Sequence, residues 1–151
     1  MLSILKQTEL MEPNSEFKIV VLEDNDFYNS LLTRQLQNYT DEIAHDKGYK
    51  FEISSYTNAT DCLKNIKPDT DIAFVDYYLG EDKNGLEALK IIKQKCPDCK
   101  VVVISREDNM KTSFQTLNEG AYTFIYKDKD ALIASCYLVD EVIKERFHPL
   151  V

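Results

Sequence analysis

The sequence predicts an α/β protein in which helices cover both faces of a doubly wound, five-stranded parallel sheet. Two observations predict this fold. Five short apolar runs alternate with five amphipathic segments along the 151 residues, and the links between them are short. Such alternation is typical of parallel strands joined by right-handed helical crossovers. In addition, the central run, residues 72–75, is apolar throughout, as expected for a strand buried on both faces.

The five apolar runs are the predicted strands. Most of them are rich in β-branched and aromatic residues, which pack well on a pleated surface. The first run leads directly into two acidic residues, and the central one ends on the carboxylate of Asp76. We expect strands at residues 17–22, 49–56, 72–75, 100–104 and 123–126.

Helices are predicted between and after these runs. Asn25 or Asp26 is expected to cap the first helix, Pro68 to follow the end of the second, Gly120 to end the fourth and Pro149 to end the last. Residues 40–48 are polar and predict a loop or an extra helical turn. The apolar face of the first helix is expected to comprise Phe27, Leu31, Leu32, Leu36 and Tyr39.

Length and composition indicate one domain, with a flexible N-terminal tail at residues 1–16, a folded unit at 17–147 and a short C-terminal end at 148–151. No apolar run approaches the ~18 residues of a membrane span, and no signal-peptide core follows Met1, so we expect a cytoplasmic protein. The net charge of −8 without a basic stripe argues against direct nucleic-acid binding. Some of the acidic residues could instead bind a divalent cation.

Four cysteines occur in the chain, and two of them form a Cys-x-x-Cys motif at Cys96 and Cys99. A structural zinc site needs further Cys or His ligands, and no second pair is present. Because the motif lies between a predicted helix and a strand, we interpret it as a turn. Cys62 and Cys136 fall on apolar helix faces and are expected to lie in the core.

Polar side chains follow four of the five predicted strands: Glu23 and Asp24, then Asp76, Ser105 and Lys127. Parallel strands end at one edge of a sheet, so these side chains can converge there. Three carboxylates would repel one another unless a cation lay among them, and hard oxygen ligands suit Mg²⁺. Lys127 and Ser105 would serve a bound anion. This pattern indicates a phosphoryl site with Asp76 as the nucleophile, although Asp24 could simply cap the first helix.

From about residue 17 to 147 the chain resembles the receiver domain of two-component response regulators of the chemotaxis type, which has a flavodoxin-like fold. The order and spacing of several short motifs carry this resemblance. They are residues 20–24 (VVLED), 74–80 (FVDYYLG), 84–85 (NG), 103–105 (VIS), 120–121 (GA) and 124–127 (FIYK).

The resemblance implies a role for each matching residue. Asp76 would be the phosphoacceptor, and Lys127 would contact the phosphoryl group. Mg²⁺ would be held by Glu23, Asp24, Asp76 and the backbone carbonyl of Tyr78. Ser105 and Phe124 would form the switch that responds to phosphorylation.

Three departures from the family pattern stand out. The lysine is usually followed by a proline in a cis bond, but Asp128 follows Lys127 here, and a cis bond before a non-proline residue costs about 2.5–4 kcal/mol. Glu23 occupies a position that is usually Asp. The segment between the first helix and the second strand, around residues 40–48, is longer than is usual in the family, and it has no assigned function.

The resemblance also implies partners. A phosphohistidine on a sensor histidine kinase or a histidine phosphotransfer protein would donate the phosphoryl group. The surface of the fourth helix, fifth strand and last helix would signal to a downstream protein or form a homodimer, with Tyr122, Tyr126 and Tyr137 contributing. The chain would catalyse only its own phosphorylation and dephosphorylation. Tyr78 and Glu107 flank the expected path of the hydrolytic water, and we expect Tyr78 to slow hydrolysis.

Other classes fit the sequence less well. An aspartyl-nucleophile phosphatase would carry a second Asp where this chain has Tyr78. A flavodoxin-like carrier would need a phosphate loop after the first strand, where Glu23 and Asp24 would repel a phosphate. A degenerate receiver, which binds partners without being phosphorylated, is the remaining alternative. A longer regulator of which this chain is one part is also consistent with the sequence.

Overall fold

Five strands form one parallel sheet in the computed structural model, which describes residues 16–80 and 84–148. The spatial order is β2-β1-β3-β4-β5, so the chain reverses direction across the sheet after β2, as in a doubly wound fold. This confirms the predicted fold class, and the predicted strands agree with the observed ones to within one residue at each end. The strands are β1 (Glu16–Leu22), β2 (Lys50–Tyr56), β3 (Ile72–Asp76), β4 (Lys100–Ser105) and β5 (Thr123–Tyr126).

Five helices connect and follow the strands among the described residues. Four of them begin after an asparagine whose side chain accepts a hydrogen bond from a backbone N–H in the first turn: Asn25, Asn58, Asn84 and Asn109. Such caps satisfy donors that have no partner within the helix. The helices are α1 (Asp26–Lys47), α2 (Ala59–Asn65), α3 (Gly85–Lys95), α4 (Met110–Asn118) and α5 (Ala131–Phe147).

The predicted ambiguity at residues 40–48 is resolved in favour of helix, since α1 continues to Lys47. Thr40 is fully buried, and its hydroxyl donates to the carbonyl of Leu36 at 2.9 Å, so a polar residue lies within the helix without an unpaired group. Gly48, with φ of +72°, then ends the helix. The prediction that Phe27 lies on the buried face of α1 is wrong. Phe27 is 73% exposed, because it precedes the buried Leu32 by five residues and so lies about 140° away from it around the helix.

The core consists of two layers, one on each face of the sheet. Strands β1 and β3 contribute alternate residues to the two layers, as the period of a strand requires. Helices α2 and α3 pack on one layer, and α1 and α5 pack on the other. Helix α4 contributes to neither layer, and Thr116 is its single buried residue.

The four cysteines are buried, reduced and part of these layers, as expected for Cys62 and Cys136. Cys96 and Cys99 form the predicted turn between α3 and β4, where the Cys99 N–H donates to the Cys96 carbonyl at 3.0 Å. Burial raises the pKa of the Cys99 thiol to about 12, so this thiol stays protonated at neutral pH.

Some expectations fall outside the described residues. These are the tail at residues 1–15, the loop residues 81–83, and residues 149–151 including Pro149. Glu16, the last residue of the predicted tail, begins β1. Among the described residues, no helix has the length and apolar character that crossing a bilayer requires.

Candidate phosphoryl site at the carboxyl edge of the sheet

Strand register brings the predicted site residues to one edge of the sheet. Asp76, the last residue of β3, pairs with Ile104, so Ser105 lies one position further along β4. Ser105 in turn pairs with Tyr126, and the next residue, Lys127, donates its backbone N–H to the Ser105 carbonyl at 2.7 Å. The convergence that the sequence predicted is therefore a direct consequence of the parallel register.

Three carboxylates lie together at this edge. One oxygen from each of Glu23, Asp24 and Asp76 can be chosen so that all three lie within 4.8 Å of one another. Glu23 and Asp76 are buried, at 2% and 4% exposure, whereas Asp24 is open to solvent. Within the described part of the chain, this is the one group of acidic, cysteine or histidine side chains arranged closely enough to hold a metal ion.

The position of Glu23 is fixed by neighbours from two elements. Its backbone N–H donates to the Tyr56 carbonyl at 3.0 Å, which continues the pairing of β1 with β2. The buried side chain of Asn29 in α1 donates to the carbonyls of both Glu23 and Tyr56 at 3.0 Å. The Asn25 N–H donates to Glu23 Oε2 at 3.1 Å. Glu23 is thus held rigidly at the strand end.

Burial and neighbouring charge both act on the phosphoacceptor candidate. Burial is the largest cause that raises the pKa of Asp76, to about 8, and a hydrogen bond with Glu23 and the negative charge of Glu23 raise it further. The positive charge of Lys127 acts in the opposite direction. Without a cation, the cluster therefore retains a proton at neutral pH. A divalent cation with oxygen ligands would offset this repulsion, so the donor set fits such an ion.

The ammonium of Lys127 lies between two of the carboxylates. Its Nζ forms an ion pair with Glu23 Oε1 and lies 3.5 Å from Asp76 Oδ2, and its side chain is only 13% exposed. No cis peptide bond occurs in the part of the chain that the structure describes, so the bond between Lys127 and Asp128 is trans. The Asp128 N–H donates to the Tyr126 carbonyl at 2.8 Å, a bond that a proline could not make.

Ser105 and Phe124 lie on the neighbouring strands β4 and β5. The Ser105 side chain is fully buried, and its Oγ accepts a hydrogen bond from the backbone N–H of Glu107 at 3.1 Å. Phe124 is half-buried and packs against the core layer covered by α2 and α3. Its partner in register on β4 is Val103, two residues before Ser105.

Tyr78 forms one wall of the site. Its backbone N–H donates to Asp76 Oδ1 at 3.3 Å, which places its main chain beside the carboxylate. Its hydroxyl donates to Glu107 Oε2 at 2.8 Å, and the guanidinium of Arg106 lies 5.2 Å from the centre of its ring. The loop after β3 and the loop after β4 are therefore connected across the mouth of the site.

The loop after β3 returns close to its own start. The Gly85 N–H donates to the Tyr77 carbonyl at 2.6 Å. A Cβ at Gly85 would lie 2.5 Å from the Asp76 carbonyl oxygen and 2.5 Å from the Tyr77 Cα, so a side chain cannot be accommodated there.

Two residues of the site were missed by the sequence reasoning, and both lie in α1. The ring of Tyr28 lies against the Lys127 ammonium, 4.5 Å from Nζ to the ring centre. Asn29 supports Glu23, as described above. Asn29 precedes the buried Leu32 by three residues and so lies on the same helix face, and a polar residue on that face was the available signal. Nothing in the sequence pattern indicated the Tyr28 contact.

Comparisons with known proteins identify the family of the chain. The family model described as the response regulator receiver domain matches residues 19–136. The transcriptional regulatory protein CssR of Bacillus subtilis is 30% identical over 132 residues, which cover 85% of this chain and 54% of CssR. An NtrX-like response regulator of Rickettsia typhi is 28% identical over 134 residues, covering 86% of this chain and 26% of that protein. The chain thus spans about a quarter to a half of these relatives.

Solved structures share the fold. A response regulator from Burkholderia pseudomallei, with a phosphorylated aspartic acid, a calcium ion and citrate, has a TM-score of 0.62 and 21% identity; the match covers 89% of this chain and 76% of that one. A CheY-like receiver domain protein from Methanospirillum hungatei has a TM-score of 0.63 and 23% identity, covering 85% and 98%. With the family model matching most of its length, the chain belongs to the response regulator receiver domain family.

Proposed function

We propose that Asp76 accepts a phosphoryl group from a phosphohistidine on a sensor histidine kinase or a histidine phosphotransfer protein. The observation that supports this most directly is the position of the Lys127 ammonium between the carboxylates of Glu23 and Asp76, with the Ser105 hydroxyl on the adjacent strand. A carboxylate oxygen of Asp76 would attack phosphorus while the P–N bond breaks and its electron pair stays on the imidazole. The product is an acyl phosphate.

Glu23, Asp24, Asp76 and the backbone carbonyl of Tyr78 would hold Mg²⁺. Bound there, Mg²⁺ would offset the negative charge of the transferring group. Lys127 would exchange its pairing with the carboxylates for a contact with a phosphoryl oxygen, and Ser105 would donate its hydroxyl to another. Phe124, half-buried next to this strand end, would then rotate inward as Ser105 moves.

The signalling surface would be the face formed by α4, β5 and α5. Most of the large apolar side chains that are exposed in the described residues belong to these three elements. Exposed apolar side chains that cluster are typical of a site for another protein, either a downstream target or a second copy of this chain. The chain would not bind nucleic acid directly or insert into a membrane. The exposed side chains are Met110, Phe114, Leu117, Tyr126, Ile133 and Tyr137.

The site supports a signalling phosphoacceptor that catalyses only its own phosphorylation and dephosphorylation, within a receiver unit at residues 17–147. The alternative is a degenerate receiver, which would bind partners without being phosphorylated. Asp128 stands where the receiver family usually has a proline, but Lys127 Nζ still lies 3.5 Å from Asp76 Oδ2, which favours the phosphoacceptor.

The decisive experiment is intact mass spectrometry after incubation with Mg²⁺ and a small acyl phosphate. We expect one added phosphoryl group on the wild type, none on Asp76→Ala, and one on the control Asp98→Ala, which removes an exposed acid from the turn before β4. No addition to the wild type would contradict the proposal. If Mg²⁺ binding, followed by tyrosine fluorescence, were also absent, the degenerate receiver would be favoured.

A further inference from the structure

The side chain of Lys127 is held from two sides. The Glu23 and Asp76 carboxylates lie on one side, and the face of the Tyr28 ring lies on the other, 4.5 Å from Nζ. A cation at this distance from an aromatic face is attracted by the quadrupole of the ring, more strongly where water is largely excluded. With its side chain 13% exposed, Lys127 is in such an environment.

Tyr28 comes to this position from a distant part of the chain. It lies in the first turn of α1, three residues after the cap Asn25, whose side chain accepts the Tyr28 N–H at 2.9 Å. The following residue, Asn29, is fixed by its bonds to two strand carbonyls. The backbone around Tyr28 is therefore rigid, and the ring is presented to Lys127 by a fixed helix end.

The hydroxyl of Tyr28 does not explain why a tyrosine lies here. It is buried and has no hydrogen-bond partner among the residues that the structure describes. Burial, followed by the negative charges of Glu23, Asp128 and Asp76, raises the pKa of this hydroxyl to about 12, so it remains neutral. The interaction that Tyr28 does make at the site is through its ring.

The turn after Lys127 leaves its side chain unrestrained by the backbone. Two hydrogen bonds, both of 2.8 Å, close this turn. The Asp128 N–H donates to the Tyr126 carbonyl, and the Asp130 N–H donates to the Asp128 carboxylate. Neither bond involves the lysine side chain, which has four rotatable carbon–carbon bonds and a high rotamer entropy. The orientation of the ammonium is therefore set by the groups that touch it, which are the two carboxylates on one side and the Tyr28 ring on the other.

We propose that Tyr28 is a positioning residue, whose ring face holds the Lys127 ammonium beside Asp76, ready to meet the transferred phosphoryl group. This proposal rests on the proposed function of Asp76. Without the ring, Lys127 would spend more time in other rotamers, and the phosphoryl group would meet a less ordered cation. The rate of transfer would fall although Tyr28 does not touch the reacting atoms.

The test compares the rate constant for phosphorylation of Asp76 by a small acyl phosphate with saturating Mg²⁺, followed by intact mass. Tyr28→Phe keeps the ring and removes the hydroxyl, and we expect a rate within about twofold of the wild type. Tyr28→Leu and Tyr28→Met remove the ring, and we expect rates lower by about 3- to 10-fold. The methionine variant decides the question if the leucine variant does not fold.

A double substitution separates positioning from a purely structural role. Lys127→Ala is expected to slow phosphorylation, and adding Tyr28→Leu should then produce no further loss, because the ring acts through the lysine. A further loss of the same size in the Lys127→Ala background would overturn the proposal. So would equal rates for Tyr28→Leu and the wild type, or equal losses for Tyr28→Phe and Tyr28→Leu.

The outcome for the wild type keeps the two proposals distinct. An unphosphorylated wild type would contradict the function proposed for Asp76, and with it the role of Tyr28. A phosphorylated wild type with a rate that is insensitive to the ring would contradict only the role of Tyr28. Thermal unfolding of each variant shows whether a loss of rate reflects a loss of the folded protein.

Discussion

Replacing Asp76 by Asn should stabilise the metal-free protein, because the wild type buries a carboxyl group among other carboxylates. The folded-state pKa of Asp76 is about 8, against the ordinary value of 3.8. Between these two values the folded protein binds a proton that the unfolded chain does not. The stability that this group contributes is thus fully present below pH 3.8 and is lost as pH rises towards 8.

The size of the effect follows from the same shift. At pH 7 the loss extends over roughly three pH units at about 1.4 kcal/mol each, or about 4 kcal/mol. This value is an upper limit for the increase in the free energy of unfolding that Asp76→Asn produces, because the substitution also removes an ionic partner of Lys127. We expect the variant to raise the free energy of unfolding by between about 1 and 4 kcal/mol at pH 7, and by under about 2 kcal/mol at pH 5.

Urea unfolding in EDTA at the two pH values measures both gains. Asp98→Asn, which makes the same change in net charge on an exposed turn, is the control and should change stability by less than about 0.5 kcal/mol. Saturating Mg²⁺ should reduce the advantage of Asp76→Asn, since the cation offsets the repulsion in the wild type. A variant no more stable than the wild type at pH 7, or a gain that is equal at both pH values, would refute the reasoning.

Three further substitutions test other parts of the site. Tyr78→Asn should speed the loss of the phosphoryl group, because it opens the wall that Tyr78 forms with Glu107. Tyr78→Phe removes only the hydroxyl that is bonded at 2.8 Å and should have a smaller effect. An unchanged dephosphorylation rate in Tyr78→Asn would contradict this prediction. Gly85→Ala should destabilise the fold by roughly 3 kcal/mol or more in thermal unfolding, because its Cβ would lie 2.5 Å from backbone atoms. Gly48→Ala, which has open space around it, should lower the free energy of unfolding by only about 1 kcal/mol. Asn29→Ala should lower the free energy of urea unfolding by about 1–3 kcal/mol, since the buried Glu23 carbonyl loses its donor, whereas the Tyr56 carbonyl keeps the Glu23 N–H. A loss below about 0.5 kcal/mol would show that water replaces the amide.

The sheet could be predicted because its signals are local. A buried strand such as residues 72–75 is marked by an unbroken apolar run, and parallel register then brings whatever follows each strand to one edge. Glu23, Asp76 and Lys127 could therefore be grouped from the sequence although they are far apart along the chain. The roles assigned to them remain predictions.

What the sequence did not indicate depends on contacts between elements. Phe27 was counted with the apolar face of α1, but it precedes Leu32 by five residues, and the packing of the helix on the sheet covers the side that carries Leu32. Thr40 is polar by type, yet it is buried because its hydroxyl bonds within the helix. The approach of Tyr28 to Lys127 joins α1 to the end of β5, and no periodicity within either element encodes it.

The sparse packing of α4 has a consequence for local unfolding. A helix with Thr116 as its single buried residue has little to lose when it opens, so its backbone amides should exchange with deuterium well before those of β3, whose five residues are all buried. The free energy needed to rearrange α4 is then a small part of that needed to unfold the protein. We therefore expect that a modest change at the neighbouring strand ends would redistribute the conformations of α4 while the rest of the fold stays intact.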